Sequence, residues 1–195
     1  MSKNPNYTGG ERFNKLSKKD GYRSRAAYKL KQINKSHNLI KQNQNILDIG
    51  CAPGSWIQVV KELTQGKASI TGIDILSMAK IEGITFLQKD LLEVNDDDLN
   101  DHYDLVLSDI APNITGVSTI DQENFMIVAE NILDFCKVYL KYGGKMAMKF
   151  FNGYKLSELK DSLTDVFDEV SVYKPDSSRQ KSREVYLVCV DYKHQ

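Results

Sequence analysis

A short glycine-containing segment carries the clearest chemical signal in the sequence. Residues 48–56 (DIGCAPGSW) follow a run typical of a buried strand and precede a segment with helical periodicity. Gly50 and Gly54 allow a tight turn and a close approach of the backbone to a ligand. A helix that begins near Ser55 presents free N–H groups. In an α/β sheet, this arrangement predicts a turn that binds a nucleoside or nucleotide.

Two carboxylates follow the next two predicted strands. Asp74 ends the second strand, where a carboxylate can accept hydrogen bonds from both ribose hydroxyls, and Asp90 follows the third strand, within reach of an adenine amino group. The turn has neither the lysine of a phosphate-binding loop nor the glycine spacing of dinucleotide sites. A cofactor without phosphates, such as S-adenosylmethionine, is therefore indicated. Trp56, the only tryptophan, is either a core residue or a lid over this cofactor.

Alternating strand and helix patterns predict the frame that positions these residues. We predict strands at 45–49, 69–75, 84–88, 103–108, 145–150, 169–173 and 184–190. Predicted helices occupy 23–35, 55–63, 122–140 and 156–167, with Gly143 and Gly144 as the stop signal of the third. The alternation predicts an α/β fold, a doubly wound, seven-stranded and mostly parallel sheet with helices on both faces.

Length and composition favour one globular domain. The chain has 195 residues, 41% hydrophobic and 27% charged, and we assign residues 21–195 to the domain and 1–20 to a flexible basic arm. No apolar run reaches the roughly 18 residues of a membrane span. Because a secretory signal is also absent, we expect a cytoplasmic protein, or a mitochondrial one if the source is a eukaryote. We also expect a monomer. Cys51, Cys136 and Cys189 are too scattered for a metal site, so we expect none.

Basic residues are concentrated near the N-terminus, although the net charge is zero. Residues 1–45 contain eleven Lys and Arg but only two acidic residues, a net charge of +9. Clustered cations attract a phosphate backbone, and Arg179, Lys181 and Arg183 form a second basic cluster. A solvated tail would have the same composition. Beside a nucleoside-binding turn, however, this charge favours RNA as the partner.

Five blocks of the sequence resemble the FtsJ (RrmJ) family of RNA 2'-O-ribose methyltransferases. The blocks are SRAAYKL (24–30), DIGCAPGSW (48–56), LSDIAPN (107–113), MKF (148–150) and the pair KPDSSR (174–179) and SREVY (182–186). The resemblance extends from about residue 21 to 190. It implies a Rossmann-like class I methyltransferase fold, S-adenosylmethionine as cofactor, and a catalytic tetrad of Lys29, Asp109, Lys149 and Glu184.

The resemblance also implies cofactor contacts and a substrate. The contacts fall on Gly54, Trp56, Asp74, Asp90 and Asp109. The last block looks like the ribosomal RNA branch of the family, which implies a uridine of large-subunit ribosomal RNA in the assembled subunit as target. One position departs from the family: Ser55 replaces the second glycine of APGGW. We expect serine to be tolerated unless the backbone has positive φ there.

The tetrad matches what the reaction requires. A ribose hydroxyl is a poor nucleophile near neutral pH, so a site must align it and accept its proton. Lys149 ends a buried strand, and a desolvated amine beside Lys29 can act as a base or steer the hydroxyl. Asp109 and Glu184 would orient the two lysines. Two alternatives stay open: the same fold acting on tRNA or a small molecule, and a non-catalytic ribosome-assembly factor that binds RNA.

Overall fold

A single mixed sheet organises the chain, of which the computed structural model describes residues 9–99, 102–179 and 182–193. The strand order is β3-β2-β1-β4-β5-β7-β6, and only the β5–β7 and β7–β6 pairs are antiparallel. The strands are β1 (Asn45–Ile49), β2 (Ser69–Asp74), β3 (Thr85–Gln88), β4 (Tyr103–Ser108), β5 (Leu140–Phe151), β6 (Phe167–Tyr173) and β7 (Glu184–Tyr192). The predicted doubly wound, mostly parallel sheet is confirmed.

Helices cover both faces of the sheet. They are α1 (Gly9–Lys19), α2 (Ala26–His37), α3 (Ser55–Thr64), α4 (Ser118–Tyr139) and α5 (Lys155–Val166), with a short 3-10 helix at Leu91–Glu93. Apolar residues of α2 and α3 pack in one core and those of α4 and α5 in another. Successive residues of the central strands alternate between the two cores, as in Leu105 and Val106. No helix among the described residues is long and apolar enough to cross a membrane.

Two features differ from the prediction. Helix α1 was not predicted, and it lies within the segment assigned to the arm. Residues 1–8 of that arm are outside the described part of the chain, so the division at residue 20 stays a prediction. Gly143 and Gly144 are not a helix stop, because α4 already ends at Tyr139 and both glycines lie in β5. Leu140 is extended and pairs with Tyr103. The register of the β4–β5 pair shifts between Tyr103 and Leu105, so the two glycines belong to an irregular stretch of β5.

The sheet brings the predicted site residues to one edge. The strand order reverses between β1 and β4, and ligands of doubly wound sheets bind in the crevice at such a point, outside the carboxyl ends of the strands. Strands β5 and β7 extend this edge, with Lys149 paired to Tyr186. Cofactor and catalytic groups can therefore meet at one place.

Candidate active site

A cavity of about 430 Å³ lies at the carboxyl ends of the four parallel strands β1 to β4. Its walls are mostly apolar, and two of their side chains, Ile75 and Leu76, are largely exposed. Asp74, Asp90 and Asp109 add carboxylates to this lining. A few polar groups in an apolar cavity of this size are typical of small-molecule sites. The three aspartates predicted to contact the cofactor are thus brought together.

Asp74 and Asp90 are held by backbone hydrogen bonds. The Asp74 carboxylate accepts from the N–H groups of Ala52 and Leu76, each at 2.8 Å, which ties the end of β2 to the glycine turn. Asp90 accepts from the N–H of Leu92 at 3.0 Å and so caps the short 3-10 helix. Because each carboxylate oxygen has a second lone pair, both groups can still accept a hydrogen bond from a ligand.

Asp48 is a buried carboxylate to which the sequence analysis gave no role. It is 1% exposed, and its Oδ2 atom has no hydrogen-bond partner among the described residues. Burial raises the pKa of Asp48 well above its ordinary value, and the charges of Asp109 and Asp74 add to this. Asp48 lines a second cavity, of about 90 Å³, which shares Gly50, Ala52 and Asp109 with the larger one. A cation or a hydrogen-bond donor placed there would satisfy the unpaired oxygen.

The glycine turn accommodates serine as expected. Gly54 has φ 101°, whereas Ser55 is the first residue of α3 and is not among the residues with positive φ. The buried Ser55 hydroxyl donates to Ser24 Oγ at 2.7 Å. Within the turn, the conformation that favours glycine therefore occurs at Gly50, with φ 74°, and at Gly54, and not at Ser55. Gly54 itself lines neither cavity.

Trp56 is a core residue rather than a lid over the larger cavity. Its side chain is 3% exposed, its Nε1–H donates to the Ala26 carbonyl at 2.9 Å, and its ring lies 5.8 Å from that of Tyr186. Trp56 lines the smaller cavity only. Its hydrogen bond attaches the start of α2 to the helix that follows the turn.

The four tetrad residues form one ion-paired cluster. Lys29 Nζ lies 3.1 Å from Glu184 Oε2 and 3.7 Å from Asp109 Oδ1, and Lys149 Nζ lies 3.1 Å from the same Asp109 oxygen. Lys149 also donates to the backbone carbonyl of Asp109. The side chains of Lys29 and Lys149 are 7% and 5% exposed. Asp109 thus contacts both lysines, whereas Glu184 pairs with Lys29.

Asp109 is the charged centre of this cluster. Burial opposes its ionisation, but the charges of Lys149 and Lys29 and a hydrogen bond from Tyr186 outweigh that effect. The pKa of Asp109 is therefore lowered below its ordinary value. Because the carboxylate stays charged, it can hold both lysine nitrogens at the edge of the two cavities.

Tyr186 is a site residue that lies in the SREVY block but received no predicted role. It is fully buried, its hydroxyl donates to Asp109 Oδ1 at 2.6 Å, and Lys29 Nζ lies 5.6 Å from its ring centre. Burial raises the pKa of Tyr186, and the negative charge of Asp109 adds to this, so the phenol is a donor near neutral pH. The period of a strand places Glu184 and Tyr186 on one face, a signal present in the sequence.

The predicted second basic cluster is only partly described. Arg183 donates to the Asn152 carbonyl at 3.0 Å and to Ser118 Oγ at 2.7 Å, so its guanidinium also makes contacts within the protein. Lys181 lies outside the described residues. Among the described residues, no group of three or more His, Cys, Asp or Glu side chains is placed to hold a metal ion.

Comparison with known proteins agrees with this geometry. The family model for FtsJ-like methyltransferases matches residues 22–192. The chain belongs to the FtsJ-like methyltransferase family. Within this family, a protein of Nitrosospira multiformis named Ribosomal RNA large subunit methyltransferase E is 42% identical over 182 residues, which cover 90% of this chain and 88% of that protein. A protein of the same name from Methylobacillus flagellatus is 41% identical over 184 residues, covering 91% and 89%.

Solved structures give the same result for the fold. The crystal structure of a putative ribosomal RNA methyltransferase from Plasmodium falciparum matches with a TM-score of 0.79 and 34% identity, covering 89% of this FtsJ-like chain and 100% of that chain. Aeropyrum pernix fibrillarin, solved with natively bound S-adenosyl-L-methionine, matches with a TM-score of 0.62 and 17% identity, covering 85% and 73%. The second likeness shows the class I methyltransferase fold alone.

Proposed function

We propose that this FtsJ-like methyltransferase transfers a methyl group from S-adenosylmethionine to the 2'-hydroxyl of a uridine ribose in large-subunit ribosomal RNA. The observation that supports this most directly is the buried cluster of Lys29, Asp109, Lys149 and Glu184, whose Asp109 also lines the apolar cavity. The names of the relatives support the RNA class. Following the resemblance, we propose the assembled subunit as substrate, and we expect short naked RNA to be a poor one.

The residues present fit S-adenosylmethionine. Asp74 and Asp90, at the ends of β2 and β3, would hold the ribose and the adenine in the larger cavity. The unpaired, buried oxygen of Asp48 and the smaller cavity suit the ammonium group of the cofactor's amino-acid end. The bound cofactor supplies a methyl group on a positively charged sulfur. Asp109 lines both cavities and contacts both lysines, so it links the donor site to the acceptor site.

Lys149 is the residue that we propose to act on the hydroxyl. The Lys149 nitrogen can make three hydrogen bonds, and the carboxylate and the backbone carbonyl of Asp109 take two of them. One hydrogen-bonding position is left for the ribose oxygen. As a neutral amine it would accept the hydroxyl proton, and as an ammonium it would steer the oxygen while the proton leaves to water. Lys149→Arg separates these roles, because arginine donates hydrogen bonds but is not deprotonated in proteins.

The test is transfer of labelled methyl groups to large ribosomal subunits purified from a strain that lacks the enzyme. We expect label on a ribose 2'-oxygen with the wild type, and a kcat at least about 10²-fold lower with Lys149→Ala. The affinity of Lys149→Ala for S-adenosylmethionine serves as the control and should be unchanged. Label on tRNA but not on subunits would show that tRNA is the substrate. No transfer to any RNA would favour a non-catalytic factor that binds RNA. The monomeric state and the cytoplasmic location stay predictions.

A further inference from the structure

Arg23 belongs to the basic N-terminal region, yet its guanidinium contacts protein carbonyls. The NH1 atom donates to the Pro53 carbonyl at 2.8 Å and to the Ala79 carbonyl at 2.7 Å, and NH2 donates to the Lys80 carbonyl at 3.1 Å. Pro53 lies in the glycine turn, and the other two acceptors lie in the loop that follows β2. One side chain therefore joins the turn to this loop.

The loop after β2 also packs tightly against the turn. A Cβ atom at Gly54 would lie 2.6 Å from Ile81 Cδ1 and 2.9 Å from Arg23 NH1. The same loop supplies Ile75 and Leu76 to the lining of the larger cavity. The position of this cavity wall therefore depends on the contacts at the turn, to which Arg23 contributes three hydrogen bonds.

The backbone at Arg23 is itself fixed to α3. Its N–H donates to Gln58 Oε1 at 2.8 Å, and Gln58 Nε2 donates to the Gly21 carbonyl at 3.0 Å. The hydrogen bond between Ser55 and Ser24 holds the next residue. A side chain anchored at both ends is suited to holding two segments together, whereas a phosphate ligand would have to compete with three carbonyl acceptors.

We propose that Arg23 is a positioning residue of the cofactor site: it holds the loop after β2 against the glycine turn and so sets the affinity for S-adenosylmethionine. This rests on the proposed function for the identity of the cofactor. It separates Arg23, like Lys29 of the tetrad, from the remaining basic residues of the N-terminal region, whose predicted partner is RNA. The effect belongs to binding of the cofactor, and it requires the planar fork of arginine rather than its charge alone.

The test is titration of Arg23→Gln and Arg23→Lys with S-adenosylmethionine by calorimetry, without RNA. We expect the Kd to rise about tenfold or more in both variants, because hydrogen bonds from a charged donor are lost and lysine does not reproduce the fork. In turnover with large subunits, the KM for the cofactor should rise while kcat at saturating cofactor changes little. Thermal melting of each variant verifies that it is folded.

Two further variants make the test specific. Arg12→Gln removes the same charge from the exposed face of α1 and should leave the Kd for S-adenosylmethionine unchanged. Ile81→Ala loosens the same loop without altering any charge and should raise that Kd, even if Arg23→Gln does not fold. An unchanged Kd in both Arg23 variants, with a raised KM for subunits, would overturn the proposal. Since the titration contains no RNA, failure of the wild type to methylate subunits would refute the proposed substrate separately.

Discussion

Replacement of Tyr186 by phenylalanine tests whether Asp109 is the charged centre of the site. The substitution removes the hydroxyl that donates to Asp109 Oδ1 at 2.6 Å and keeps the ring, which is fully buried. A hydrogen bond to a charged group contributes about 1.5–3 kcal/mol. Lys149 and Lys29 stay at 3.1 and 3.7 Å from the same oxygen. Their positive charges therefore still offset part of the cost of burying the Asp109 carboxylate. We expect the free energy of unfolding at pH 7 to fall by about 1.5–3 kcal/mol.

The loss should depend on pH in a defined direction. The pKa of Asp109 is lowered in the folded protein, so its contribution to stability is present above the pKa of the unfolded chain, about 3.9, and is lost as the pH falls through the folded value. Tyr186→Phe raises that folded pKa. The difference in stability between wild type and variant should therefore shrink as the pH falls below about 3.9 and through the lowered folded pKa of the wild type, where Asp109 becomes protonated in both proteins.

Urea unfolding at pH 7 and pH 3, with equal m-values, measures these quantities. Tyr173→Phe is the matched control: it removes a hydroxyl from the residue paired with Tyr186 on the neighbouring strand, and this hydroxyl has no hydrogen bond to another described residue. Its effect should stay within about 0.5 kcal/mol. The kcat of Tyr186→Phe should fall by about tenfold, because Asp109 positions Lys149 less firmly. A pH-independent loss, or one equal to the control, would refute the reasoning.

Two further predictions concern the glycine turn and the strand before it. The pKa of Asp48 is raised by burial and by the charges of Asp109 and Asp74, so its own contribution to stability falls as the pH rises above about 4, with a slope of up to about 1.4 kcal/mol per pH unit. Asp48→Asn should lack this slope between pH 5 and 7 in urea unfolding, and identical slopes would contradict the prediction. Gly54→Ala, at φ 101°, should lower the free energy of unfolding by about 1–2 kcal/mol or more. The loss should exceed that of Gly116→Ala, which has positive φ but open space around it.

The cofactor side of the site could be predicted from local sequence. Asp74 ends β2 and Asp90 follows β3, and parallel strands place their carboxyl ends at one edge, so the pattern alone brings them together. Asp48 was harder to assign, because an acid inside a buried strand gives no local sign that one oxygen lacks a partner. The unassigned role of Arg23 has a similar cause, since its acceptors are backbone carbonyls, which any sequence supplies.

The catalytic cluster could not be derived from spacing. Lys29 and Glu184 are 155 residues apart and meet only because α2 packs on the sheet beside β7. The resemblance to a family supplied these residues, and no periodicity would have done so. Helix α1 was missed because GGERFNKLSKK has few apolar residues. The contact of Phe13 with Tyr28, whose ring centres lie 5.2 Å apart, becomes visible only in three dimensions.

The active site depends on the N-terminal region because Lys29 lies on α2. Lys149, Asp109 and Glu184 lie on or directly after strands of one rigid sheet, whereas Lys29 lies on a helix that the sheet does not fix by backbone pairing. The hydrogen bond from Trp56 Nε1–H to the Ala26 carbonyl attaches that helix to α3, which begins at the glycine turn. The helix that supplies Lys29 to the acceptor site is therefore fixed beside the donor site. A region rich in basic residues thus contributes to catalysis through the position of Lys29, in addition to its attraction for RNA.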